Sequence, residues 1–248
     1  MRTPLAGLAA LILTGLLACG GCGRAPIPGS EIGSLTRVET STVELGGATK
    51  LAVSVRMGVG ELEVSGASAA ASALEAVFTY APAAWRPEVT HTSNGELGVL
   101  GVCQPECDGR PLGDVRNRWQ LRLADGVPIN LCLALDVGTS IVDLRGVDVR
   151  GLEITTGLGD AAIDLSGPRT ADIKGSIQTG VGETTIRLPE RTGVRVTGAD
   201  AGFGELYADG FMLDGRDYVN ASWDEPGPKM LIYLQRGVGD VRLVSVDH

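Results

Sequence analysis

Apolar residues alternate with polar or small residues along much of this chain. Leu51, Val53 and Val55 occupy every second position of one such run, and residues 230–234 repeat the pattern farther along. A period of two is typical of strands that bury one face. Helical periodicity is rare. We therefore predict an all-β fold with less than about 10% helix after the first segment, against a usual helix content of about 30–35%.

A motif of two glycines around one apolar residue, followed by an acid, recurs along the chain. In all six copies the middle residue is apolar, and so are the residues three before and six after the first position. The four copies that start between 136 and 202 are spaced 21, 23 and 22 residues apart, which is typical of the coils of a β-solenoid. The copies begin at residues 58, 136 (degenerate), 157, 180, 202 and 237. The paired glycines are Gly58, Gly60, Gly157, Gly159, Gly180, Gly182, Gly202, Gly204, Gly237 and Gly239.

The spacing within each copy indicates a bend at the glycines. The middle residue and the apolar residue six after the start are five positions apart, and a straight strand places such residues on opposite faces. If both lie on one face, the glycines must form a corner or a bulge that resets the alternation, and glycine tolerates the backbone angles this requires. Each copy is therefore predicted to be a strand, a corner and a second strand, in a β-solenoid-like stack.

The repeat also predicts how a single domain, 38–248, is organised. Residues 136–248 form the regular coils, and residues 67–130 hold inserted strands and a hairpin at 93–96. A further insertion contains Trp223, which we predict to be an exposed contact residue. We expect Val241–Val246 to be an exposed terminal strand that a second copy of the chain could cap.

The first residues are predicted to be a targeting segment. Arg2 precedes an apolar run at 5–18, which would rise only about 21 Å as a helix, short of a hydrocarbon core of about 30 Å. The sequence Leu-Leu-Ala-Cys at 16–19 resembles the bacterial lipobox. It predicts a lipoprotein signal peptide at 1–18, lipidation of Cys19 and a flexible tether at 19–37. An ordinary signal peptide cleaved near residue 18 or 20 is the alternative. Gly20 after the cysteine favours the outer membrane.

The composition of the chain argues against several classes of function. A net charge of −9 makes nucleic acid an improbable partner, and two histidines with ten aromatic residues leave little material for histidine catalysis or base stacking. We expect no cofactor and no metal site. An oxidising envelope permits disulfides, so Cys103 and Cys107 are predicted to pair and Cys132 to fill a place in the core.

Three features leave alternatives open. The glycine motif resembles a dinucleotide fingerprint, but that needs a helix after it, and here a strand follows. The acid after the glycines is either a turn residue that accepts local N–H groups or part of a carboxylate ladder that binds Ca²⁺. Asp143, Asp164 and Arg187, with Arg145 nearby, occupy equivalent positions and could align on one face, as in a β-helical polysaccharide-active enzyme.

Several segments together resemble a known family. They are residues 57–62, 117–119, 157–160, 180–183, 217–220 and 237–240. Over roughly residues 38–247 the pattern is similar to the toast-rack and putative-adhesin domains of bacterial envelope proteins. The resemblance implies a right-handed, β-helix-like stack of short strands and a non-enzymatic envelope role, and it transfers no catalytic residue.

The expected function is thus a non-catalytic, lipid-anchored scaffold or binding protein of the envelope, related to envelope stress. Its expected partner is another envelope protein or a glycan. A polysaccharide-active enzyme and a calcium-stabilised adhesin remain the alternatives.

Overall fold

The computed structural model describes residues 35–66, 71–106, 115–199 and 201–247. Seventeen strands and one short 3₁₀ turn make up this part of the chain. The prediction of an all-β fold with very little helix is confirmed. The elements are β1 Arg37–Glu44, β2 Lys50–Ser65, β3 Ser72–Ala81, the turn Ala83–Trp85, β4 Glu88–Asn94, β5 Leu97–Cys103, β6 Arg116–Leu123, β7 Ile129–Asp143, β8 Val149–Leu158, β9 Ala161–Asp164, β10 Ile173–Val181, β11 Thr184–Pro189, β12 Gly193–Thr197, β13 Leu206–Asp209, β14 Phe211–Asp214, β15 Asp217–Asn220, β16 Lys229–Gln235 and β17 Val241–Val246.

Each repeat is one rung of a solenoid, made of a first leg and a second leg that meet at the glycines. The first legs hydrogen-bond side by side into one layer, in the order β4-β5-β2-β7-β8-β10-β16-β12-β15-β14. The second legs form the other layer, in the order β1-β3-β6-β2-β7-β9-β11-β17-β13. Strands β2 and β7 are long enough to run through the corner and contribute to both layers.

The rungs do not stack in the order of the sequence. Strands β16 and β17, from the last copy of the motif, lie between the rung of β10–β11 and the rung of β12–β13. The expectation that Val241–Val246 is an exposed terminal strand is therefore wrong, because β17 is paired on both sides. After β11 the chain passes over the position of one rung to form β12 and β13, and then reverses direction through β14 and β15. Strands β16 and β17, which come last in the sequence, occupy the position that was passed over.

The core lies between the two layers. In all six copies the residue three positions before the start of the motif is buried. The residue six positions after the start is buried in five of the six copies. Trp119 lies in the core with no exposed surface, and its ring meets the ring of Phe78 edge-on at 5.5 Å between ring centres. Cys132, in contrast, faces solvent on the first-leg layer. Its prediction as a core residue is wrong, because it alternates with the buried Leu131 and Leu133.

The two ends of the stack differ. At one end, here called the tether end, the outer strands are β1 and β4, the former carrying the start of the domain. The inserted strands predicted within 67–130 form this end, and the hairpin at 93–96 turns at Gly95. At the other end, here called the open end, the outer strands are β13 and β14.

The strand β1 is fastened by a small polar cluster. The carboxylate of Glu39 accepts hydrogen bonds from Arg86 (Nε, 2.9 Å; Nη2, 2.6 Å) and from the hydroxyl of Tyr80 (3.0 Å). These bonds, that from Arg86 first, lower the pKa of Glu39 below its usual value.

Candidate functional site

The corner glycines of neighbouring rungs lie directly against one another. A Cβ atom added at Gly138 would lie 1.7 Å from the carbonyl oxygen of Gly60, and one added at Gly159 would lie 2.0 Å from that of Gly138. The same contact continues to the open end, and the second glycine of every copy has a positive φ. Only glycine fits this line, so it is the corner that the predicted fold requires.

The middle residues of the six motifs form a continuous apolar row on the outside of the corner, which we call the corner ridge. In order along the stack its members are Val59, Val137, Leu158, Val181, Val238 and Phe203. Their exposed fractions run from 39% to 76%. Five steps between strands of about 4.8 Å give the ridge a length of roughly 24 Å.

The corner shifts the alternation of buried and exposed residues by one position, as predicted. The middle residue of the motif, however, does not point into the core. Met57 and Leu62 are five positions apart and both fully buried, whereas Val59 between them is 42% exposed. The assumption that the middle residue and the later apolar residue lie on one face is therefore wrong. The middle residue lies at the apex of the bend, where its side chain points away from the space between the layers.

An acidic row runs beside the ridge on its second-leg side. The row consists of Glu61, Asp160, Glu183, Asp240 and Glu205, all exposed, with Thr139 in the remaining rung. Asp160 accepts the backbone N–H of Glu183 on the next rung at 2.9 Å, and Asp240 accepts that of Glu205 at the same distance. The carboxylates of these two aspartates thus link neighbouring rungs by accepting backbone N–H groups. Within the described ranges, no three potential metal ligands are grouped closely enough to hold an ion.

The outer face of the second-leg layer carries the charged residues that align across rungs. Asp143 pairs with Asp164 in register, and Asp164 pairs with Arg187. They border a shallow depression of about 410 Å³. Arg145 holds Asp143 through two bonds of 2.6 and 2.9 Å and lies 4.0 Å from Asp164, which also accepts hydrogen bonds from Ser166. The carboxylates are thus already bonded within the chain.

Trp223 lies in the predicted insertion and is half-buried. The guanidinium of Arg195 lies 4.7 Å from its ring centre, and the ammonium of Lys229 lies 5.5 Å away. Arg195 in turn bonds Asp214 and Asp217 at 2.7 and 2.8 Å. The indole is thus held by two cations of its own chain, and its role as a contact residue stays a prediction.

The cysteines are only partly within the described chain. Cys103 is disulfide-bonded, but Cys107 and Cys19 lie outside the described residues, so the Cys103–Cys107 pairing and the lipidation of Cys19 stay predictions. Cys132 is a free thiol. Partial burial raises its pKa, and the neighbouring carboxylate of Glu153 adds to the increase.

Two asparagines whose role the sequence did not reveal bond backbone where the regular stacking of the rungs is interrupted. Asn117 donates to the carbonyl of Val59 at 2.6 Å and to the side chain of Gln104 at 2.9 Å, while Gln104 accepts the N–H groups of Gly58 and Val59. These side chains bond the corner backbone of β2 on the side where β5 ends and β6 begins. Asn117 lies in a segment that carries the family resemblance, 117–119, but the sequence assigns its amide no role.

Asn220 does the equivalent work near the open end. It is 1% exposed, donates to the carbonyls of residues 189, 190 and 192, and accepts the N–H of Val194 at 2.8 Å. It therefore stabilises the connection between β11 and β12, where the chain crosses the rung formed by β16 and β17.

These features define a two-layered β-solenoid with a glycine corner. The family model described as the N-terminal domain of toast_rack (DUF2154) matches residues 32–187. The chain therefore belongs to the toast-rack family, as its motifs indicate. A search of curated proteins found no match.

Solved structures extend the likeness beyond residue 187. A putative cell adhesion protein from Clostridium sporogenes is 28% identical, with a TM-score of 0.80 over 86% of this chain and 100% of that one. A putative adhesin from Bacteroides fragilis is 12% identical over 84% of this chain and 97% of that one. Its TM-score of 0.30 is too low to carry an argument.

Proposed function

We propose that this chain is a non-catalytic, lipid-anchored binding protein of the bacterial envelope that engages another polypeptide along its corner ridge. The observation that carries the proposal is the ridge itself. All six copies of the motif place an apolar side chain where it remains substantially exposed, and rows of this kind on a protein surface mark interaction sites. The solved relative from Clostridium sporogenes, a putative cell adhesion protein, supports the same class of function.

The acidic row defines the chemistry of the partner. Glu183 and Glu205 are exposed beside Val181 and Phe203, and the whole chain carries a net charge of −9. A segment that presents an apolar row beside lysine or arginine side chains complements this surface. An anionic membrane surface does not, because the carboxylates would face lipid phosphates of the same sign.

Anchoring rests on Cys19 and on the position of the tether. The domain starts at β1, and Glu39 fastens that strand to the stack. No helix among the described residues is long and apolar enough to cross a bilayer. We expect Cys19→Ala to shift the protein from the membrane fraction to the soluble fraction of fractionated cells. Unchanged membrane association would exclude a lipid anchor at this residue.

A peptide experiment tests the ridge. Three synthetic peptides of equal length alternate leucine with lysine, leucine with glutamate, and serine with lysine. We expect the chain to bind the leucine–lysine peptide and neither of the others. The double variant Leu158→Ser, Val181→Ser should weaken that binding at least tenfold, whereas Val38→Ser should not change it. Val38 is a suitable control because it is 68% exposed and lies on β1, at the tether end.

The rival enzyme hypothesis has one observation in its favour, the alignment of Asp143, Asp164 and Arg187. Its carboxylates are already bonded to Arg145 and Ser166, which leaves them poorly placed to act as an acid and a base on a glycan. Envelope polysaccharides incubated with the chain test this directly. Turnover that Asp164→Ala abolishes would overturn the non-catalytic proposal.

A further inference from the structure

The open end of the solenoid has unpaired strand edges in both layers. Among the described strands, β13 is paired only with β17, and β14 is paired only with β15. Each therefore keeps one edge of backbone N–H and C=O groups free of strand pairing. Exposed edges of this kind accept another strand unless side chains prevent it.

The side chains at the open end do not discourage pairing. Met212 and Leu213, next to each other on β14, are 61% and 65% exposed. At the tether end, β1 and β4 consist mainly of threonine, serine and charged residues. The tether end is thus protected against edge pairing, and the open end is not.

The charges at the open end suit contact with an identical surface. Asp214 and Asp217 are both bound by Arg195, and the guanidinium of Arg242 lies 5.1 Å from the ring centre of Tyr207. A chain with a net charge of −9 repels its own copy most strongly where carboxylates lack a cationic partner. The pairing of Asp214 and Asp217 with Arg195 reduces this repulsion beside β14.

We propose that the open end binds a second copy of this chain, by antiparallel pairing of β14 with the β14 of the copy about a two-fold axis. Such an interface uses the same residues on both chains. With the axis beside Met212, the two Met212 side chains lie opposite each other on one face of the joined sheet, and Leu213 lies opposite Phe211 of the copy on the other face. This arrangement covers two adjacent apolar residues that a single chain leaves exposed.

Sedimentation velocity of the full chain carrying Cys19→Ala tests the proposal without detergent. We expect dimers to form as the concentration rises from micromolar to submillimolar. Leu213→Lys and Met212→Lys should each raise the dimer dissociation constant at least tenfold, because an edge lysine opposes strand pairing. Val38→Lys, an equivalent change at the tether end, should leave the constant unchanged.

Two results would overturn the proposal: a wild-type chain that stays monomeric throughout, or a Val38→Lys variant that dissociates as readily as Leu213→Lys. Circular dichroism and thermal unfolding of each variant establish that the β fold is retained. The inference does not depend on the ridge, since Leu158→Ser, Val181→Ser should leave dimerisation intact. Its failure and that of the proposed function are therefore separable.

Discussion

At the scale of single residues, the corner positions accept glycine and no larger residue. An alanine at residue 138 would place its Cβ against the carbonyl of Gly60 at a φ of 137°. We expect Gly138→Ala to lower the free energy of unfolding by roughly 2–4 kcal/mol, from strain and overpacking together. Gly146→Ala is the control, since nothing lies within 4 Å of its Cβ position. Urea denaturation measures both. Equal effects of the two substitutions would mean that the glycines are not in contact.

The same corner shows where residue-level prediction succeeded and where it did not. Alternation identifies Leu51, Val53 and Val55 as one buried face, because burial enforces the period of two, and the glycines that follow them predict a bend. It could not assign a direction to Val59, since a residue at the apex of a bend belongs to neither strand. The exposure of the ridge is therefore a property of the folded chain, although the apolar character of its residues is present in every copy of the motif.

At the scale of elements, the insertion of the last rung predicts a specific pattern of amide protection. Strand β17 bonds to β11 on one side and to β13 on the other, whereas β13 has a single partner among the described strands. We expect the amides of Val241–Val246 to exchange with deuterium much more slowly than those of Leu206–Asp209, as measured by mass spectrometry of peptic fragments. Fast exchange throughout β17 would contradict the rung order.

The strands could be predicted from the sequence, but their order in the stack could not. Each strand is specified by its own alternation, while the order depends on which edges remain free when the chain returns. One signal was nevertheless present. The copy that starts at 202 has Ala199 and Ala208 at its two core positions, whereas the copy that starts at 237 has Leu234 and Leu243. Small core residues suit a rung near the end of the stack, where β13 has only one partner among the described strands.

At the scale of the whole molecule, the two proposed surfaces should respond to salt in opposite directions. The ridge attracts a cationic segment through its acidic row, and screening weakens that attraction as the Debye length falls from about 10 Å at 0.1 M salt to about 3 Å at 1 M. Contact at the open end brings together two chains of net charge −9, so screening removes a repulsion and favours the dimer. Raising the salt concentration should therefore weaken binding of the leucine–lysine peptide and strengthen dimerisation. Peptide titrations and sedimentation in the same buffers measure the two constants. A shift of both constants in the same direction would contradict the assignment of attraction to the ridge and repulsion to the open end.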